Sequence, residues 1–204
     1  RVLAATRSRK TCVLCGNDTS KEQIKHCSIS IGQRIFGSFL MIELNITKEM
    51  IESCKEKANE IGKLKNSITR GEGNLSGILG EYIVHKNLPN SLWKNTYDYD
   101  LIDDGKKIDV KTKRSKYKPL DFYDVAIAET SLHQQCDEYV FVTILNDMSK
   151  AWIVGRMDHE EYFERARYMK KGQVDPSNNF TVKANCYNLQ IKELEEICLT
   201  YTPH

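Results

Sequence analysis

The feature that most constrains this chain is a short turn, Asp103-Asp104-Gly105-Lys106, between two extended runs, Trp93 to Ile102 and Lys107 to Lys113. Asp-Gly between such runs is the strongest short-range signature of a two-residue β-hairpin. With Asp104-Gly105 as the turn, Asp100 stands opposite Asp109, and Asp98 opposite Lys111. Side chains alternate along a strand, so one face carries Asp98, Asp100, Lys107, Asp109, Lys111 and Lys113. The other carries Tyr99, Leu101, Ile108, Val110 and Thr112, which suits a core. The first face opposes like charges across the ladder, which destabilises a hairpin unless something positive lies between them. A divalent cation answers that need, because hard cations such as Mg²⁺ bind through one or two carboxylates together with water and phosphate oxygens.

The segments around the hairpin read as a mixed α/β domain. A helix begins after Thr47, a fitting N-cap, with Met50, Ile51, Cys54, Ala58, Ile61 and Leu64 on its apolar face. A second helix runs from about Leu75 to Asn87 and turns Ile78, Leu79, Tyr82 and Ile83 inward. Further strands are expected at Phe122–Ile127, Glu138–Leu145 and Lys150–Gly155. The run from Tyr139 to Leu145 is nearly all apolar, as in a strand covered on both faces. His159 to Met169 reads as a helix with Tyr162, Phe163 and Ala166 on one side, and Ile191–Leu199 as a closing helix. This order of elements fits a central sheet with helices against it.

Charge is distributed unevenly. Residues 1–40 hold seven Lys/Arg against two Asp/Glu, whereas the formal net charge of the whole chain is only +2. Lys106 to Lys118 packs seven basic residues into thirteen, with Asp109 its lone acid. A basic stretch in an otherwise mildly acidic domain points to one face built for an anionic partner. Residues 1–40 have no useful helical or strand period, and Met41 looks like a natural start. They read as a basic tail, disordered or not native, ahead of a domain spanning 41–204. No run approaches the roughly 18 apolar residues that cross a bilayer. With seven cysteines, an odd number at irregular spacing, reduced thiols and a cytoplasmic location are expected rather than a disulfide framework.

The helix ending "GILGEYIV" and the hairpin "YDYDLIDDGKKIDVKTKR" resemble the PD-(D/E)XK nuclease superfamily. Its pattern is a glutamate on an early core helix, an aspartate at the end of one strand and an acid-x-lysine on the next. Glu81 matches the first, Asp100 the second, and Asp109-Val110-Lys111 the third. Tyr99 stands where the family has proline, and Asp109 where glutamate is commoner. The resemblance covers roughly residues 70–155. It implies a restriction-endonuclease-like αβββαβ core and cleavage of phosphodiester bonds, most naturally in DNA. Asp100 and Asp109 would bind Mg²⁺ or Mn²⁺ with help from the Val110 carbonyl. Glu81 would contact the metal directly or through water, and Lys111 would activate the attacking water. Bacterial and phage proteins of this family place such an enzyme in the bacterial cytoplasm, and many relatives act as homodimers.

Several residues stay open on sequence alone. Asp98 shares the polar face but could simply support Lys111. Gln134 or Gln135 follows a strand where related nucleases place a polar residue near the substrate. Lys113, Arg114, Lys116 and Lys118 are candidates for gripping phosphates. Trp93 and Trp152 read as core, and His85, His133 and His159 as packing or surface residues. Cys12, Cys15, His26 and Cys27 offer four zinc donors, but adjacent residues rarely face one metal together, which argues against Zn²⁺. The competing reading is a nucleic-acid-binding protein that keeps the fold without cutting. Opposed carboxylates, which repel phosphate, weigh against it.

Overall fold

A computed structural model describes residues 40–61, 74–88, 90–94, 96–176 and 179–197. The expected basic tail and the Cys12/Cys15/His26/Cys27 group lie outside these residues. In chain order the elements are β1 (Ile42–Asn45), α1 (Lys48–Ile61), α2 (Asn74–Asn87), β2 (Leu92–Trp93), β3 (Leu101–Asp103) and β4 (Lys106–Ser115), followed by β5 (Asp124–Ala128), β6 (Glu138–Leu145), β7 (Lys150–Asp158), α3 (His159–Arg165), β8 (Arg167–Met169) and β9 (Cys186–Gln190).

The hairpin forms in the expected register. Leu101 faces Ile108, Ile102 faces Lys107 and Asp103 faces Lys106. Asp104 and Gly105 take φ of 47° and 85°, the left-handed pair that lets a type I′ turn follow the twist of its strands. The strand before it is shorter than the sequence predicts. The Thr96 hydroxyl accepts from the Asp98 and Tyr99 amides, and this local turn competes with the ladder. Trp93–Ile102 is therefore broken into β2, a bend and β3, and Asp98 does not pair with Lys111.

β4 continues into the centre of a six-stranded sheet ordered β1-β7-β6-β4-β3-β2. β4 and β6 run parallel, with Asp109 beside Tyr139 and Lys111 beside Phe141. The other pairings are antiparallel, so the sheet is mixed, as expected. α1 begins at its cap: the Met50 amide donates to Thr47 Oγ1 at 3.3 Å. α2 lies on the face carrying Val110 and Thr112, and Gly80 makes that approach possible. A Cβ there would fall 2.0 Å from Thr112 Oγ1.

The opposite face of the sheet departs from expectation. A second sheet, β5-β9-β8, covers it together with α3. Between the two sheets lies a core of Tyr139, Phe141, Val154, Tyr162 and Leu189, all nearly fully buried. Each such side chain contributes roughly 1.5–3 kcal/mol by leaving water. α3 stops at Arg165 because Ala166 turns extended, with ψ of 144°, and Arg167–Met169 pairs with β9. The closing helix expected at Ile191–Leu199 is replaced, over the described residues, by one 3₁₀ turn at Ile191–Glu193. The chain then extends, and Glu195 and Arg156 exchange backbone hydrogen bonds of 2.8 and 2.9 Å. No helix among the described residues is long and apolar enough to cross a membrane.

Candidate active site

Three carboxylates from separate elements converge on the hairpin. Asp109 sits in mid-β4 and is only 5% exposed, and Glu81, one residue past the Gly80 contact, is 8% exposed. Asp100 closes the bend before β3. Its amide donates to the Ile108 carbonyl at 2.9 Å, while its Oδ2 accepts from the Val110 amide at 2.8 Å. Asp100 is thus clamped against β4 by backbone groups on both sides of Asp109, and Val110, expected as a metal ligand through its carbonyl, holds Asp100 through its N–H.

The electrostatics are strained. Burial pushes the Asp100 carboxyl well above the ordinary aspartate range, and the nearby charges of Glu81 and Asp109 push it further. The Val110 N–H works the other way, and a carboxyl–carboxyl hydrogen bond with Asp109 adds to the rise. Asp109 Oδ2 is buried without a partner in hydrogen-bond geometry, although the Lys111 ammonium lies 2.6 Å away. We take that contact as an ion pair made at a poor angle, because proximity alone sets the Coulomb attraction while alignment sets the hydrogen bond.

Lys111 is itself held. Its Nζ donates to Gln134 Oε1 at 2.9 Å and to Ser131 Oγ at 3.3 Å, and it lies 5.6 Å from the centre of the Tyr139 ring. Gln134 in turn donates through Nε2 to the Tyr97 carbonyl at 2.9 Å. Of the two glutamines left open by the sequence, Gln134 therefore reaches the cluster. The side chain of Gln135 donates instead to the His133 carbonyl. Asp98 stays outside too, accepting from the Gln135 amide at 3.3 Å.

Two contributors escaped the sequence reading. Trp93, expected in the core, is half-buried and donates from Nε1 to Glu81 Oε2 at 2.8 Å. Ser131 lies in a 3₁₀ turn with no motif to mark it. The basic candidates disperse. Lys113 donates to the Asp124 carbonyl, Arg114 to the Asn146 carbonyl and Lys118 to Glu43, while Lys116 is exposed. His85 bonds Ser91 and packs on Trp93, His159 stacks on Tyr139, and His133 is exposed, as expected of packing and surface histidines.

This donor set is all oxygen, largely buried and mutually repelling, with the Lys111 ammonium 2.6 Å from Asp109 Oδ2. It fits a hard divalent cation held by Asp100 and Asp109. Among the described residues no group of three or more His, Cys, Asp and Glu side chains is placed to hold a metal ion, so the fit rests on the two carboxylates alone. No protein-family model matches the chain, and no curated protein matches it either.

Proposed function

We propose that the chain is a metal-dependent nuclease of the PD-(D/E)XK type, with a restriction-endonuclease-like core, that hydrolyses phosphodiester bonds in DNA. The observation that carries this reading is the opposition of Asp100 and Asp109, in which burial and the neighbouring carboxylates hold the Asp100 carboxyl above its ordinary range, with Lys111 in contact two residues along the same strand. A fold that needed only stability would have little use for such a set, and perturbed carboxylates in one place are a mark of function.

A bound Mg²⁺ or Mn²⁺ would neutralise charge on the phosphate and lower the pKa of a coordinated water. The chain's own residues do the rest. Asp100 and Asp109 supply the ligand oxygens, and the Val110 amide keeps Asp100 in place. Lys111 orients the attacking water and stabilises charge as it builds on the phosphate oxygens. Gln134 and Ser131 fix the lysine head from one side, and Trp93 fixes Glu81 from the other.

The test is incubation of supercoiled plasmid and labelled single strands with Mg²⁺, Mn²⁺ or EDTA, beside Asp109→Ala and Lys111→Ala. Cutting by the wild type with metal alone, lost by about 10²–10³-fold in both folded variants, supports the reading. A wild type that neither cuts nor binds metal sinks it.

A further inference from the structure

The loop that leaves β4 ends in rings rather than in the short polar turn a surface connection needs. Tyr117 is 72% exposed, Phe122 55%, Leu120 42% and Tyr123 36%. Four exposed side chains of this size within seven residues of one loop mark a binding site more often than a scatter of single exposures does. The loop's backbone is nevertheless anchored. The Ser115 hydroxyl donates to the Tyr117 carbonyl at 2.8 Å and accepts from its amide at 3.2 Å. The Tyr123 amide donates to the Leu120 carbonyl at 2.9 Å. Beyond that turn the Asp121 and Tyr123 carbonyls accept from the Lys192 and Ile191 amides at 2.8 and 2.9 Å. Pro119 is buried, and Phe122 and Tyr123 meet edge to face with centroids 5.1 Å apart. The rings are therefore presented by a fixed scaffold.

Charge identifies the occupant. From Lys113 to Tyr123 four basic residues stand against one acid, Asp121; beside Tyr117, Lys118 is paired with Glu43 and Lys116 is exposed. Rings interleaved with lysines match the alternation of base and phosphate in an unpaired nucleic-acid strand, where bases offer their faces for stacking. A duplex hides those faces. The loop also starts only five residues beyond Lys111, at the end of β4, about 17 Å at 3.3 Å per residue. Another ring, Tyr97, is 72% exposed beside the Gln134 that holds Lys111.

We propose that Lys116–Tyr123 is a stacking platform for single-stranded nucleic acid, which delivers an unpaired strand to the hairpin carboxylates. The delivery rests on the nuclease reading; the binding does not. Fluorescence anisotropy in EDTA, where nothing is cut, separates the two. We expect the full chain to bind labelled oligo(dT) at least about tenfold more tightly than a duplex of equal length. Tyr117→Ala and Phe122→Ala should each weaken oligo(dT) binding by about 5- to 100-fold, with an unchanged melting temperature and little effect on duplex. Lys116→Ala should lower the salt slope by about one. Unchanged oligo(dT) affinity in both ring variants, or equal losses on duplex, overturns the platform, including the case where the patch takes a protein instead. Ring-dependent binding without metal-dependent cutting keeps the platform and discards the nuclease. Lys111-dependent cutting that ignores both rings does the reverse.

Discussion

Two half-buried aspartates, Asp100 by the hairpin and Asp124 at the start of β5, meet opposite neighbours. Burial raises the proton affinity of both. At Asp124 the fold answers with a guanidinium, Arg167, at 2.7 Å, and that charge works against the rise. At Asp100 the next influences are two more carboxylates, Glu81 and Asp109, which make ionisation harder still. The first arrangement is how a fold tidies up a buried acid. The second leaves negative charge concentrated where a cation from solution can serve, and it does so at a cost in stability that a purely structural site would not carry.

The comparison breaks most sharply in activity. Asp100→Asn keeps the acceptor for the Val110 amide and removes the charge, so it should lower metal-dependent cutting by about 10²–10³-fold. Asp124→Asn should leave cutting within about twofold, and lower stability by roughly 1–3 kcal/mol in urea melts as the Arg167 pair weakens. Equal activity losses in the two variants would erase the distinction.

Metal binding sharpens it next. In the wild type, Mg²⁺ or Mn²⁺ at about 100 times its dissociation constant should add about 2.7 kcal/mol, roughly 5–10 °C in the melting temperature of a chain this size. Asp124→Asn should keep that shift and Asp100→Asn should lose it. A shift that survives in Asp100→Asn would move the cation elsewhere.

The smallest effect is on pH dependence without metal. Because the folded pKa of Asp100 lies above the free value of 3.8, the native state binds its proton more tightly than the unfolded chain does. Stability is therefore highest below that free value and falls as pH rises through the folded pKa. Asp100→Asn should abolish this decline, and Asp124→Asn should soften it less, since Arg167 already offsets part of the shift. Urea midpoints measured from pH 4 to 8 in EDTA decide it, and a decline unchanged in Asp100→Asn would refute the assignment.

What the sequence reveals follows from how local each cause is. The hairpin register rests on two turn residues, and the helix starts on a cap and a 3.6-residue period, so both are legible. β6 matches the strand expected at Glu138–Leu145 to the residue. Gln134 is another matter, because its place against Lys111 depends on a 3₁₀ turn and a carbonyl 37 residues away. Trp93 reads as core because an indole on a short strand usually is, and its bond to Glu81 arises only when α2 and β2 dock. The end of α3 and the missing closing helix share a cause. Arg167–Met169 and Glu195 find sheet partners far along the chain, and those ladders override local helical preference. Gly155 is similar. Its φ of 145° accompanies a register shift between β6 and β7, so that Trp152 and Val154 before it and Met157 after it enter one core. Strict alternation cannot foresee that.

Gly80 sets a tolerance for the packing of α2 on β4. The gap between α2 and β4 has no slack at this position, since even a methyl group would overlap Thr112. That gap is the gauge that sets how far Glu81 stands from the hairpin. Any larger residue at position 80 would lift the helix and carry its neighbour's carboxylate away by a comparable distance. An alignment-sensitive reaction feels a 1 Å misplacement as about a hundredfold, so one hydrogen atom in place of a side chain acts as a machining limit on the whole assembly.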